Sequence, residues 1–305
     1  MGDTLARRLV RSLDSWEIAA KPFDGDVHKA DWGRVIPFVA LHLACLLVLI
    51  VGWSPVAVIF AVAFYGLRMF AITAFYHRYF SHRAFKTSRA MQFVFAVLGL
   101  AAVQKGPLWW AAHHRNHHRH SDHEGDVHSP QREGLWYSHV GWILSRQNLR
   151  TRLELVGDLA KFPELRFLDR FDLLVPILLI PLLFGVGVGL QAFWPGLGTS
   201  GMQFLVWGFV ISTVALYHGT FTINSLAHRL GTRRFDTPDD SRNNAFLSLL
   251  TFGEGWHNNH HHYPGSVRMG FRWWEFDLSF YLIRAMAVMG LVWDLRPIPV
   301  RLKKP

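Results

Sequence analysis

The 305-residue chain has a single cysteine, Cys45. One thiol cannot close a disulfide within the chain. It also cannot build a thiolate metal site or hold an iron–sulfur cluster. No nucleic-acid motif and no flavin or nicotinamide domain is evident. No internal repeat, low-complexity segment or flexible linker interrupts the chain, which reads as one domain, 1–305. The N-terminus is polar and charged and lacks the short apolar run of a cleavable signal. Charge is missing from two long stretches: no Asp, Glu, Lys or Arg lies between Val35 and Leu67, or between Leu173 and His228.

What fills those stretches is apolar. Half of all residues are hydrophobic, which is rich for a soluble domain. Each stretch contains a break, GWSP at 52–55 and FWPGLGTSG at 193–201. The pattern therefore predicts four spans in two hairpins, near 35–53, 55–77, 173–192 and 202–222. Each is close to the roughly 20 apolar residues a bilayer core needs. Basic residues set the orientation. Six lie in 1–34, one is Arg68, fourteen lie in 69–172 and eleven in 229–305, with none at either hairpin tip. The positive-inside rule then puts both termini and the segments 78–172 and 223–305 in the cytoplasm. That basic face suits anionic lipid headgroups or an acidic partner, and nothing points to nucleic acid. Arg68 either faces the protein interior or snorkels toward the headgroups. Residues 4–19 carry Leu5, Leu9, Leu13 and Trp16 at helical spacing, read as an amphipathic helix at the interface or a solvated terminal one. Met91–Val103 and Ala285–Trp293 are apolar but too short to span.

Histidine is the residue in excess. HHRNHHRHSDHEGDVH, residues 113–128, has seven, and HNNHHH, residues 257–262, has four. Histidine is a poor core filler and well suited to binding metals. His114, His117 and His118 keep the i, i+3, i+4 spacing of one helix face, and so do His257, His260 and His261. His77 and His82 in HRYFSH are five apart, so the helix is expected to end or bend between them. These motifs, with His228, all fall beside one membrane face.

The combination of HRYFSH, HRNHH, NSLAH, SHVGW and GEGWHNNHH resembles the integral-membrane fatty acyl desaturases of the stearoyl-CoA desaturase type. The resemblance runs from the first span to about Trp274. It implies an all-α integral membrane protein, with four transmembrane helices in two hairpins and a cytoplasmic helical cap holding a histidine-rich diiron site. Carried over by motif, the nine ligands are His77, His82, His114, His117, His118, His228, His257, His260 and His261. Asn224 matches the asparagine that holds a metal-bound water. Arg146 matches an arginine that contacts coenzyme A phosphates, although Gln147 follows it where the family often has a second basic residue. His113, His120, His123, His128 and His262 extend the clusters and are placed outside the ligand set. Asp122, Asp126 and Glu254 can accept N–H bonds from ligand imidazoles and fix their tautomers; Asp122 and Asp126 read equally well as surface charges.

The implied reaction uses two iron ions and dioxygen to introduce a cis double bond into a saturated acyl chain, with delta-9 acyl-CoA expected. The two electrons must come from a separate donor such as a ferredoxin, rubredoxin or cytochrome with its reductase. Only 44 residues follow His261, too few histidines among them for a fused bis-histidine haem domain. A bacterial inner membrane is the expected location. The alternatives are a phospholipid-acyl desaturase, a related membrane hydroxylase, and, outside enzymes, a metal transporter. The transporter would need ligands within its spans, which hold no carboxylate and, apart from His77 at the end of the second, only His42 and His218. His28, His42 and His139 lie outside the clusters and are expected to tolerate replacement.

Overall fold

The computed structural model describes residues 10–19 and 28–299. Four of its helices are long and apolar enough to cross a membrane: Trp32–Val51, Pro55–Ser81, Leu174–Phe193 and Gly201–His228. Their breaks follow the turn chemistry. Gly52 (φ +66°) and Gly198 (φ +60°) take left-handed conformations at the two tips. Ser54 and Ser200 then cap the second and fourth spans, accepting the N–H of Ala57 and of Gln203, each at 3.2 Å. GLGTSG at 196–201 has the spacing of a dinucleotide-binding loop. Here it only joins two spans, with no strand before it.

The first and third spans match expectation closely. The second and fourth run on, to Ser81 and His228 rather than to about 77 and 222. Each continues as a helix inside the protein, where its polar residues find partners instead of water. From Ala71 to Ser81 the second span is a π-helix with every residue buried. Its ring of Phe75 stacks on Phe95 with centroids 3.8 Å apart. The helix Arg89–Leu100, which carries Phe95, covers most of the first short apolar segment. Of the second, only 285–288 are helical, ending the helix Leu278–Val288, and Val292–Trp293 instead pairs as a strand with Lys86–Thr87. Both helices pack against this core. Opposite them in character is the first span, none of whose residues is buried.

Arg68 faces inward. It is fully buried, donating to Thr213 Oγ1 at 2.7 Å and Ser212 Oγ at 2.6 Å on the fourth span. The start of the N-terminal amphipathic stretch lies outside the described residues. Of its remainder, Val10 and Ile18 are exposed while Asp14 and Ser15 are buried against the protein. Trp16 Nε1 donates to Asp169 Oδ2 at 2.8 Å and Ser15 Oγ to Asp172 Oδ1 at 2.6 Å, pinning the helix Ser15–Ala19 to the cap.

Candidate metal centre

Four helical elements deliver the histidines. The π-helix contributes His77 and, as the residue closing its end, His82. The helix neither ends nor bends between them, as the spacing had suggested. Wide winding lets the His82 N–H reach the carbonyl of His77, five residues back, at 3.2 Å. It also brings two residues five apart to one side, so their rings meet at 4.9 Å. Pro107–His120 supplies His114, His117 and His118. It starts at Gly106, where any Cβ would lie 2.4 Å from the Asp169 backbone. His228 closes the fourth span, and the short helix His257–His262 supplies the last three.

The nine histidines named from sequence converge into two adjacent groups. His77, His82, His114, His118 and His260 form one; His117, His228, His257 and His261 form the other. Within each group the ligand nitrogens all lie within 4.8 Å of one another. Nε2 faces Nε2 across His77–His260 (2.9 Å), His82–His114 (2.7 Å), His118–His260 (3.0 Å) and His228–His257 (3.0 Å). Nε2 of His261 is buried with no hydrogen-bond partner, although its Nδ1 is bonded. Nitrogens aimed at a common centre, with the outer nitrogen tied back, are what a metal requires of imidazole. The donor set therefore fits two ions.

Carboxylates supply those ties. Asp122 accepts from His228 Nδ1 at 2.7 Å and Asp126 from His117 Nδ1 at 3.1 Å. Glu254 pairs with His77 Nδ1 and accepts from Arg78 at 3.0 Å. Neither aspartate is a surface charge. A fourth, Asp239, accepts from His261 Nδ1 at 2.7 Å and was missed in the sequence. Its only signal was an acidic pair in the loop TPDD, too common to single out.

Burial, reinforced by neighbouring imidazoles, holds His82, His114, His118, His257, His260 and His261 well below the ordinary histidine pKa. They are neutral and ready to ligate at pH 7. His117 departs from this pattern: burial pushes it down, but the Asp126 carboxylate raises it further. Burial works against ionising Asp122, Asp126, Asp239 and Glu254, yet their hydrogen bonds and facing imidazoles leave all four pKa values lowered.

A cavity of about 510 Å³ runs up to these groups. His77, His114, His117 and His257 line it, as do the polar residues Arg34, Lys105 and Asp172, and Phe38, Leu41, Phe209 and Tyr217 are among its apolar walls. Asn224 lines it, and its side chain has no hydrogen-bond partner among the described residues. Gln104 Nε2 donates to Thr220 Oγ1 across the cavity at 2.9 Å. Arg146 is not among the lining residues; it sits half-buried in the turn that follows Leu144. His120, His123 and His262 are exposed, whereas His113 and His128 are buried and held neutral by burial, each with a pKa of about 3.

Clustered imidazoles beside a largely apolar cavity, in a chain with four helices long and apolar enough to cross a membrane, define a class: membrane proteins with a candidate metal centre next to an apolar pocket. The fatty acid desaturase family profile matches residues 38–295. The chain is 35% identical over 279 residues to an icosanoyl-CoA 5-desaturase of Limnanthes douglasii, covering 90% of this chain and 74% of that one. It is 38% identical over 262 residues to delta-9 acyl-lipid desaturase 2 of Arabidopsis thaliana (85% and 80% covered). It is 33% identical over 271 residues to an sn-1 stearoyl-lipid 9-desaturase of Anabaena variabilis (87% and 94% covered). The chain belongs to the fatty acid desaturase family.

Proposed function

We propose that this oxygen-dependent oxidoreductase introduces a cis double bond near the delta-9 position of a saturated acyl-CoA, using two irons held by the nine histidines. The observation that carries the reading is the cavity, largely apolar in its lining and bordered by histidines of both imidazole groups. When bound, the irons would supply the oxidising power needed to remove hydrogen from an unactivated methylene with dioxygen. The chain's own residues do the rest. Asp122, Asp126, Asp239 and Glu254 hold Nδ1–H on four ligands and leave Nε2 free for metal. Asn224 offers an amide to a metal-bound water. Phe38, Leu41 and Phe209 exclude bulk water and line up the chain. Arg146 would meet the head group.

Acyl lipid is the second reading. Of the two cations along the cavity among the described residues, Lys105 is already committed to Asp172 at 2.7 Å, which leaves Arg34 as the one other cation there to meet coenzyme A phosphates. Two of the relatives above are named for acyl-lipid substrates. The electrons would come from an acidic ferredoxin, rubredoxin or cytochrome docking on the basic cytoplasmic side, in a bacterial inner membrane.

The test is expression in cells fed saturated fatty acids, followed by lipid analysis for double-bond position. A cis-9 monounsaturated product is expected. Hydroxylated product would point instead to a hydroxylase. Purified protein that ignores acyl-CoA and converts phospholipid would establish the second reading. Arg146→Ala should raise the KM for acyl-CoA and leave kcat nearly unchanged.

A further inference from the structure

Three histidines outside the metal centre form a hydrogen-bonded series. His42 Nδ1 contacts the Phe38 carbonyl at 2.7 Å, and His42 Nε2 meets His218 Nε2 at 3.0 Å. His218 Nδ1 meets His139 Nε2 at 3.0 Å, and His139 Nδ1 meets Ser225 Oγ at 2.9 Å. Neutral imidazoles can make every link. His42 donates from Nδ1, His218 and His139 from Nε2, and the Ser225 hydroxyl, which also reaches the Phe221 carbonyl at 2.9 Å, turns to His139. The series joins three elements: the first span, the fourth span, and the cap segment Tyr137–Gly141.

It crosses a weak seam. The first span has no buried residue, yet Arg34, Pro37, Phe38 and Leu41 form a wall of the cavity. Its ends are tied. Asp31 N–H donates to the Leu144 carbonyl at 2.8 Å, while Gln203 and Trp207 donate to the carbonyls of Val51 and Gly52 at 2.9 and 3.0 Å. Between the ties lie two points where the helix ladder is interrupted or rewound. Pro37 lacks an N–H, and Cys45–Leu47 is a 3₁₀ turn. Residues 38–44 sit between these points, with cavity-lining Phe38 and Leu41 and a single polar side-chain link, His42.

We propose that residues 38–44 are a hinged side panel of the cavity, latched by His42–His218–His139, through which an acyl chain slides in from the bilayer. The head group then stays at the interface while only the chain crosses the wall. A two-chained lipid becomes as eligible as a single-chained acyl donor. His42 and His139 thus acquire a role, contrary to their expected indifference, and that role is independent of metal. The proposal deepens the desaturase reading, on which the identity of the chain rests; the movement itself does not depend on it.

The experiment is distance measurement between paired spin labels in lipid nanodiscs, on the full chain with Cys45→Ser. One label pair joins Leu43, inside the panel, to Leu182 on the third span; the other joins Leu49, beyond the 3₁₀ turn, to Leu182. All three positions are exposed. In His42→Leu and His218→Leu the Leu43 pair should gain a second, longer distance, with the Leu49 pair unchanged. An unchanged Leu43 pair, or equal shifts at both, overturns the panel. Should either variant fail to insert, the otherwise unaltered latch is measured in detergent and in acyl phospholipid. A longer Leu43 distance that appears with lipid and shrinks in Pro37→Ala supports the hinge, and its absence overturns it. No turnover is read, so a failed substrate assignment leaves the result standing.

Discussion

The two histidine groups differ in how they are held. In the group of four, three ligands have a carboxylate behind them: Asp126 on His117, Asp122 on His228 and Asp239 on His261. In the group of five, only His77 does, through Glu254, which also serves Arg78. A carboxylate fixes the tautomer and makes the imidazole more basic. The group of four is thus a tightly oriented, electron-rich site. The group of five relies on close packing of rings, such as His114 stacked on Trp110 at 5.0 Å. One fold has built two non-equivalent candidate metal positions.

The largest expected effect equalises the groups. His260→Ala, in the group of five, and His257→Ala, in the group of four, should each abolish product, because the proposed chemistry needs both ions; wild-type product from either would end the ligand assignment. The next separates them. Asp122→Asn, Asp126→Asn or Asp239→Asn should weaken metal binding by about 10–100-fold, removing roughly one ion per chain under chelator challenge. Glu254→Gln should be the only carboxylate change that loosens the other ion. Equal loss from both sites in every variant would erase the distinction. Asn224→Ala should lower turnover while metal content and membrane insertion stay intact, and an unchanged rate would reduce Asn224 to a packing amide.

The smallest effect is on pH. A histidine in the unfolded chain titrates near 6.5, while six of the buried ligands are held well below that. As pH falls through about 6.5, the unfolded chain takes up protons that the clusters refuse, so the stability of metal-free protein declines. His117 works in the opposite sense: raised by Asp126, it contributes stability that is present below about 6.5 and lost as pH rises through its folded value. Six against one gives a net loss on acidification. Melting temperatures of apoprotein at pH 7.5 and 5.5 check the sign, and a higher value at pH 5.5 would contradict it.

Much of this was legible in the sequence because the signals were dense. Charge-free runs and hairpin breaks predict the spans; histidines at i, i+3, i+4 mark six of the nine candidates, and the resemblance adds His77, His82 and His228. What escaped was set by backbone winding and long-range pairing. Nothing local in AITAFYHRYFS announces a π-helix; tertiary packing stabilises it, and only that winding explains a ligand pair five apart. Asp239 lies in a loop whose approach to His261 depends on the fold of the tail. The docking of Trp16 on Asp169 joins residues 153 apart in sequence, and amphipathic periodicity alone cannot name such a partner.

Arg68 has a consequence for biogenesis. Its guanidinium has hydroxyl and carbonyl partners but no carboxylate, and two of those partners, Ser212 and Thr213, are synthesised more than 140 residues later. Until the second hairpin emerges, the first presents a cation that lipid tolerates poorly, at roughly 2.5–3.5 kcal/mol on insertion scales. The N-terminal hairpin is therefore an incomplete membrane unit. The second hairpin is what supplies Arg68 with its hydroxyl partners, so the first is complete only when the second packs against it.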